Sequence, residues 1–250
     1  MNASDNRQTR VLKNKEAVAE FAVDSWIELA TVSVAENGRF AVALSGGRTP
    51  IDFYQKLAIC PHPLPWDKTH IFLADERFVP PDERDSNYRM INEHLLSRIA
   101  IPKENIHPIL TQGFTIAVSA GKYEADIRNF FKIGDTDVPV FDLIILGIGM
   151  DGHTASLFPG TASLQETKRL AIPVIADASP AERISLTLEA LNNAKNIVFL
   201  VTGESKADAI KRILEDKTRP LPAAQVRPAQ GTVLFLMDED AASRLSSRGI

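Results

Sequence analysis

An aspartate and a histidine two positions apart, Asp151 and His153, form the residue pair in this sequence that is best suited to acid–base chemistry. They lie in a glycine-rich turn that follows an apolar run at residues 141–146. A histidine ordinarily titrates near pH ~6.5, so it is mostly neutral near pH ~7 and accepts a proton, while a neighbouring carboxylate orients the ring. We therefore predict His153 as a general base and Asp151 as its support, the alternative being a histidine that only packs or caps a helix.

The same turn matches the spacing G-x-G-x-x-G of dinucleotide-binding proteins at residues 147–152. That fingerprint belongs to the first strand–helix unit of its domain, whereas a comparable unit occurs here about a hundred residues earlier. The acidic residue expected about 20 positions further on is also missing, since Glu166 comes too early and Asp177 comes late. We therefore expect no nicotinamide or flavin, and no other cofactor.

A second polar segment, SGGRTP at residues 45–50, stands between a predicted strand and a predicted helix. The N–H groups and the positive dipole end of a helix start attract anions, and glycines let a ligand come close to the backbone. The spacing of a Walker loop is absent. We predict a site for a phosphate or for sugar hydroxyls, the alternative being an ordinary turn. Its residues are Ser45, Gly46, Gly47, Arg48 and Thr49.

Charged residues also stand at the ends of other predicted segments. Asp75 and Arg77 follow a strand at residues 69–74, and Arg183 begins a segment at residues 182–188 that alternates apolar and polar residues. We predict that all three bind substrate. The alternative for the first two is a solvated surface cluster, and we expect the segment at 182–188 to be a half-exposed strand.

Lys206 lies in the first turn of a predicted helix, where the helix dipole disfavours a cation. We interpret this position as a sign that an anion binds nearby, the alternative being a solvent-facing lysine. With the turn at 147–152, polar residues thus follow four predicted strands. Because parallel strands end at the same edge of a sheet, these residues should converge on one cleft.

Strands alternate with helices over most of the chain, which predicts an α/β fold with a mainly parallel sheet and helices on both faces. Residues 1–250 are predicted to form a single domain. Predicted helices include residues 14–37 and 116–131, and predicted strands cover residues 40–44, 69–74, 106–109, 141–146, 169–174, 182–188, 196–202 and 232–236.

Composition excludes several classes of function. The net charge of −4, from 28 basic and 32 acidic residues, provides no field for nucleic acid or anionic membrane. The single cysteine rules out an internal disulfide, and the polar start lacks the apolar core of a signal peptide. The five histidines are scattered, so we expect no metal. We expect a cytoplasmic monomer or weak homo-oligomer whose partner is a small molecule.

Taken together, the polar segments resemble the 6-phosphogluconolactonase family, in the superfamily that it shares with glucosamine-6-phosphate deaminase. The resemblance covers nearly the whole chain in order, and the DGHTASLFPG block is its most specific part. The matching segments are SGGRTP at 45–50, DERFV at 75–79, DSN at 85–87, LGIGMDGHTASLFPG at 146–160, ERISLT at 182–187 and TGESKA at 202–207.

The resemblance implies a Rossmann-like fold that binds no dinucleotide, and hydrolysis of 6-phospho-D-glucono-1,5-lactone to 6-phospho-D-gluconate in the oxidative pentose phosphate pathway. It also implies that Gly46, Gly47, Arg48, Arg183 and Lys206 lie on the phosphate side, with Arg77 near the lactone or the phosphate. For the oxyanion we expect backbone N–H donors around residues 149–152.

Two alternatives stay open. In the deaminase branch a glutamate follows the DGH motif and a tyrosine usually stands where Arg77 is, whereas residues 155–160 contain no acid here. Related folds also serve as sugar-phosphate sensors of transcriptional regulators, but no DNA-binding segment or basic patch is visible.

Overall fold

A computed structural model describes residues 6–177, 179–216 and 218–246. Short 3₁₀ turns join several of the helices and strands. In chain order these are β1 (Arg7–Leu12), α1 (Lys15–Asn37), β2 (Phe40–Leu44), α2 (Ile51–Ala58), β3 (Thr69–Leu73), β4 (Asp75–Arg77), α3 (Asn87–His94), β5 (Ile106–His107), α4 (Ile116–Phe131), β6 (Leu143–Leu146), β7 (Ala171–Ile175), β8 (Glu182–Leu186), α5 (Leu188–Leu191), β9 (Asn196–Val201), α6 (Ala207–Glu215) and β10 (Thr232–Asp238).

The main sheet has seven strands in the order β1-β10-β9-β6-β2-β3-β5, and every pairing in it is parallel. Strands β2 and β6 are buried along their whole length, as expected of strands covered on both faces. The predicted α/β fold with a mainly parallel sheet is confirmed.

From β2 the chain continues to β3, toward the β5 edge of the sheet, and from β6 it continues to β9, toward the β1 edge. The connections after the neighbouring strands β2 and β6 therefore leave the sheet in opposite directions, and a crevice opens between them. This is the position at which open α/β sheets bind ligands.

Helix ends follow the signals in the sequence. Asn14 caps α1 by accepting a hydrogen bond from the N–H of Ala17 (2.9 Å), and Gly38 ends that helix in a left-handed conformation with φ 71°. Inside, Trp26 on α1 packs edge-on against Phe40 of β2, with ring centroids 5.1 Å apart. This aromatic contact fixes α1 over the start of β2.

A second sheet of three antiparallel strands, in the order β4-β8-β7, was not expected from the sequence. The prediction of a half-exposed strand at 182–188 is wrong, because β8 is the central strand of this sheet and α4 packs against it. Its polar residues Arg183 and Ser185 are buried as well, and the hydroxyl of Ser185 donates to the carbonyl of Leu186. The alternation of apolar and polar residues in this segment therefore belongs to a strand that is covered on both of its faces.

Strand β1 was also missed, because its sequence RQTRVL is mostly polar. It pairs with β10 at the edge of the main sheet, where outward polar side chains remain solvated. Among the described residues, no helix combines the length and apolar character needed to cross a membrane.

Candidate active site

A cleft of about 640 Å³ opens at the carboxyl ends of β2, β6 and β9 and beside β4 and β8. Every residue predicted from the sequence to bind substrate lines it, as does His153, whereas Asp151 contacts the imidazole of His153 without lining the cleft. The predicted members are Ser45, Gly46, Gly47, Arg48, Thr49, Asp75, Arg77, Arg183 and Lys206.

The Asp151–His153 pair is hydrogen-bonded. Oδ1 of Asp151 lies 2.6 Å from Nδ1 of His153 and also accepts from the backbone N–H of His153 (3.1 Å). Because a carboxylate faces Nδ1, the proton belongs there, and the lone pair falls on Nε2, which has no hydrogen-bond partner among the described residues. The imidazole thus presents a proton acceptor at the cleft.

Electrostatics favour the ionised form of Asp151. Partial burial opposes ionisation, but the backbone N–H and the imidazole of His153 together hold the pKa of this carboxyl below its ordinary value. A carboxylate that stays ionised can stabilise the imidazolium that forms when His153 takes a proton.

The glycines of the turn make room for this pair. A Cβ on Gly149 would overlap the imidazole of His153 and the carboxylate of Asp151, and Gly152 has φ 82° at a position where a Cβ would overlap Leu221. The N–H of Gly149 donates to the carbonyl of His153 (2.9 Å), and that of Gly152 to the carbonyl of Gly149 (3.0 Å). These two N–H groups are therefore not available as oxyanion donors, which corrects that part of the expectation.

The segment 45–50 wraps the other wall of the cleft. Gly47 takes φ 99°, and Gly46 lies so close to the amide of Asn87 that a Cβ there would overlap it. The hydroxyl of Ser45 is buried and has no partner among the described residues. A polar ligand in the cleft would supply one.

Asp75 is buried in the cleft wall, so the alternative of a solvated surface cluster is wrong for it. Its Oδ2 accepts from the hydroxyl of Ser156 (2.7 Å), and its Oδ1 and backbone carbonyl accept from the amide of Asn87 (3.3 and 2.9 Å). Both carboxylate oxygens therefore connect parts of the cleft wall. Asn87 was named in the sequence only as part of the DSN segment.

Glu76 points away from Asp75 and Arg77, as alternation along a strand requires. It is buried and accepts from the N–H groups of Arg77 (2.7 Å), Asn87 (2.7 Å) and Tyr88 (2.8 Å) and from the hydroxyl of Ser86 (3.1 Å). Burial raises the pKa of Glu76 to about 7, against the effect of the three backbone N–H donors. This carboxyl holds two cleft residues, Arg77 and Asn87, in place.

Among the described residues, five cations line the cleft, and we call them the cleft cations: Lys15, Arg48, Arg77, Arg183 and Lys206. Lys15 was not predicted from the sequence, although it stands in the first turn of α1, the same signal that singled out Lys206. Lys15 pairs with Asp52 at 3.2 Å, and the other four form no salt bridge within the described residues.

Burial and mutual repulsion act on these cations. Burial first, and then the neighbouring Arg77, lower the pKa of Arg183, which is only 7% exposed. Burial first, and then Arg48, lower the pKa of Lys206, while Asp151 opposes the shift. Cations that repel one another in a partly buried cleft indicate an anionic ligand.

No group of three or more His, Cys, Asp or Glu side chains is placed to hold a metal ion in the part of the chain that the structure describes. The groups that face the cleft are a proton acceptor, hydroxyls, an amide, two carboxylates and the more numerous cations. This set suits proton transfer on a small anionic substrate.

Comparison with known proteins gives the class. The sequence model of the family described as Glucosamine-6-phosphate isomerases/6-phosphogluconolactonase matches residues 13–235, so the chain belongs to this family. Its similar relatives are 6-phosphogluconolactonases: one from Nostoc sp. is 38% identical, covering 96% of this chain and 99% of that protein. One from Rattus norvegicus is 42% identical, covering 84% of this chain and 82% of that protein. The solved structure of 6-phosphogluconolactonase from Thermotoga maritima is 36% identical with a TM-score of 0.81, covering 93% of this chain and 99% of the other.

Proposed function

We propose that this protein is a 6-phosphogluconolactonase, which hydrolyses 6-phospho-D-glucono-1,5-lactone to 6-phospho-D-gluconate with His153 as general base. The observation that carries the proposal is the hydrogen-bonded Asp151–His153 pair, whose Nε2 has no partner among the described residues, in a cleft with five cations. The family and the names of the relatives support the same reaction.

A lactone is an activated ester, so its hydrolysis needs a base, stabilisation of an oxyanion and a grip on the phosphate. Nε2 of His153 removes a proton from water, and the water oxygen attacks the C1 carbonyl to form a tetrahedral oxyanion. The oxyanion collapses, the bond from C1 to the ring oxygen breaks, and the imidazolium returns its proton to that oxygen. General-base help of this kind contributes about 10²–10⁴ in rate.

The phosphate binds at the other end of the substrate. A phosphate dianion is best held by charge-assisted hydrogen bonds and by N–H groups at a helix start. Gly46, Gly47 and Arg48 before α2, with Arg183 and Lys206 across the cleft, supply both kinds of donor. We propose that Arg77 contacts the lactone or the phosphate, and that Asp75 forms the cleft wall between these two parts of the substrate.

Deamination of glucosamine 6-phosphate is the reaction of the other branch of the family. There, an acid after the DGH motif works with the histidine, but residues 155–160 contain none. The next acid, Glu166, accepts from the N–H groups of Lys168 (2.7 Å) and Arg169 (3.0 Å). This arrangement favours lactone hydrolysis.

The proposal includes a cytoplasmic location and a monomer or weak homo-oligomer. A single cysteine, Cys60, suits a reducing compartment.

The test is hydrolysis of freshly generated 6-phosphogluconolactone, corrected for spontaneous opening, with ammonia release from glucosamine 6-phosphate measured in parallel. Fast lactone hydrolysis that disappears in His153→Ala is the expected result. Ammonia release without lactone hydrolysis would assign the protein to the deaminase branch. Saturable sugar-phosphate binding with neither activity would make it a sensor.

A further inference from the structure

The ring of Phe158 lies against the imidazole of His153, with centroids 4.6 Å apart and planes inclined by 41°. The guanidinium carbon of Arg183 lies 5.6 Å from the centroid of the same ring. An aromatic face attracts cations within about 6 Å. One ring thus contacts both the candidate base and a cleft cation.

The backbone before Phe158 brings the ring back toward His153. Ala155 takes a left-handed conformation with φ 47°, and the N–H of Leu157 donates to the carbonyl of Thr154 (2.9 Å). A non-glycine residue with positive φ is uncommon and is retained where the surroundings impose it. After Ala155, Ser156 is fixed by hydrogen bonds to Asp75 (2.7 Å) and Ser185 (3.1 Å).

The charges around His153 make such a contact useful. The cleft contains the five cleft cations, from α1, β4, β8 and the segments after β2 and β9, whereas two carboxylates line it within the described ranges, Asp52 and Asp75. Asp151 is the one acid hydrogen-bonded to the imidazole within the described residues. The positive charge that His153 carries after it takes a proton from water therefore forms in a cleft that holds more cations than carboxylates.

We propose that Phe158 is a positioning residue for the general base, holding the imidazole plane and stabilising the imidazolium through its aromatic face. The inference rests on the proposed function for its kinetic consequence. The ring acts through His153 and does not line the cleft itself. Asp151 stabilises the imidazolium at its edge, and Phe158 stabilises it at its face.

The experiment compares Phe158→Leu, which keeps an apolar side chain but removes the aromatic face, with the conservative variant Phe158→Tyr. Phe130→Leu is the control, because Phe130 packs near another histidine, His107, with ring centroids 5.2 Å apart. We expect Phe158→Leu to lower kcat about 3–30-fold with less than about a 3-fold change in KM, as estimated from the strength of a cation–aromatic contact. The acidic limb of the pH profile should move to lower pH, because the protonated imidazole loses a stabilising contact. Phe158→Tyr should restore both, and Phe130→Leu should leave the acidic limb in place.

A second measurement does not need the activity: NMR titration of the His153 ring signals in the parent protein and in Phe158→Leu, with thermal unfolding as a control for folding. A downward shift of the titration midpoint supports the inference, even if lactone hydrolysis is absent and the proposed function fails. An unchanged midpoint, or a rise in KM without any shift of the acidic limb, would overturn it.

Discussion

The residues that the structure describes include two hydrogen-bonded aspartate–histidine pairs, and we propose a catalytic role for only one of them. In the cleft, Asp151 lies 2.6 Å from Nδ1 of His153. At the edge strand β5 of the main sheet, Nδ1 of His107 lies 2.9 Å from a carboxylate oxygen of Asp126 in α4. The two hydrogen bonds are alike, so the difference must lie at the second ring nitrogen.

Nε2 of His107 lies 3.3 Å from Nδ1 of His70, and the His107 ring stacks on Phe72 with centroids 4.0 Å apart and planes at 3°. Both edges and one face of this ring are therefore occupied by protein. Nε2 of His153 has no such partner among the described residues, and His153 lines the same cleft as the cleft cations. A carboxylate-oriented histidine becomes a base only where its other nitrogen can reach a substrate.

The sharpest test of this comparison removes each histidine in turn. His153→Ala should lower kcat for the lactone by about 10²–10⁴-fold with little change in unfolding free energy, since it removes the base from a partly open turn. His107→Ala should keep kcat and cost about 1–3 kcal/mol of stability through lost packing on Phe72. Steady-state kinetics and urea unfolding of both variants give the answer, and near-normal turnover of His153→Ala would refute the assignment.

The carboxylates offer a finer version of the same test. Asp151→Asn keeps the size of the side chain but removes the negative charge that stabilises the imidazolium, so kcat should fall by about 10–10³-fold with KM nearly constant. Asp126→Asn is the matched control at the second pair and should leave both parameters unchanged. Equal losses in the two variants would mean that Asp151 acts through the fold alone.

Substitution of cations should distinguish the cleft from the second aspartate–histidine pair by its effect on the KM for the substrate. Arg183→Ala or Lys206→Ala should raise KM about 10–100-fold, more than either lowers kcat, because a charge-assisted hydrogen bond to phosphate is lost. Arg39→Ala is the control, since the Arg39 guanidinium lies 4.4 Å from the Phe130 ring, beside the second pair. An unchanged KM in both cleft variants would place the phosphate elsewhere.

The residues that line the cleft could be predicted from the sequence better than the small antiparallel sheet that forms part of its wall. His153, Lys206, Arg77 and the segment at 45–50 could be found because each follows a strand of the parallel sheet, and local patterns specify such strands. The small antiparallel sheet could not, because the pairing of β4 with β8 joins segments about a hundred residues apart.

The directions in which side chains point could not be predicted from the sequence either. The sequence DER shows three charges, but only the folded structure reveals that Glu76 accepts hydrogen bonds from the loop backbone while Asp75 and Arg77 line the cleft. Likewise the contact of Phe158 with His153 depends on the left-handed conformation of Ala155, which cannot be predicted from an alanine in the sequence. Such features depend on the tertiary contacts around them.

The smallest expected effect concerns His70, whose Nδ1 lies 3.3 Å from Nε2 of His107 in the second pair. Burial, then His107 and Arg39, lower the pKa of His70 to about 4. Between pH ~4 and ~6.5 the unfolded chain therefore binds more protons at this residue than the folded protein does, so its contribution to stability is present at neutral pH and is lost as the pH falls. Because the ring is only partly buried, we expect a loss of only about 1 kcal/mol between pH ~7 and ~5. Urea unfolding at the two pH values should show a smaller decrease for His70→Gln than for the parent protein. An equal decrease would mean that His70 titrates as it does in the unfolded chain, and that the second pair is less enclosed than its contacts indicate.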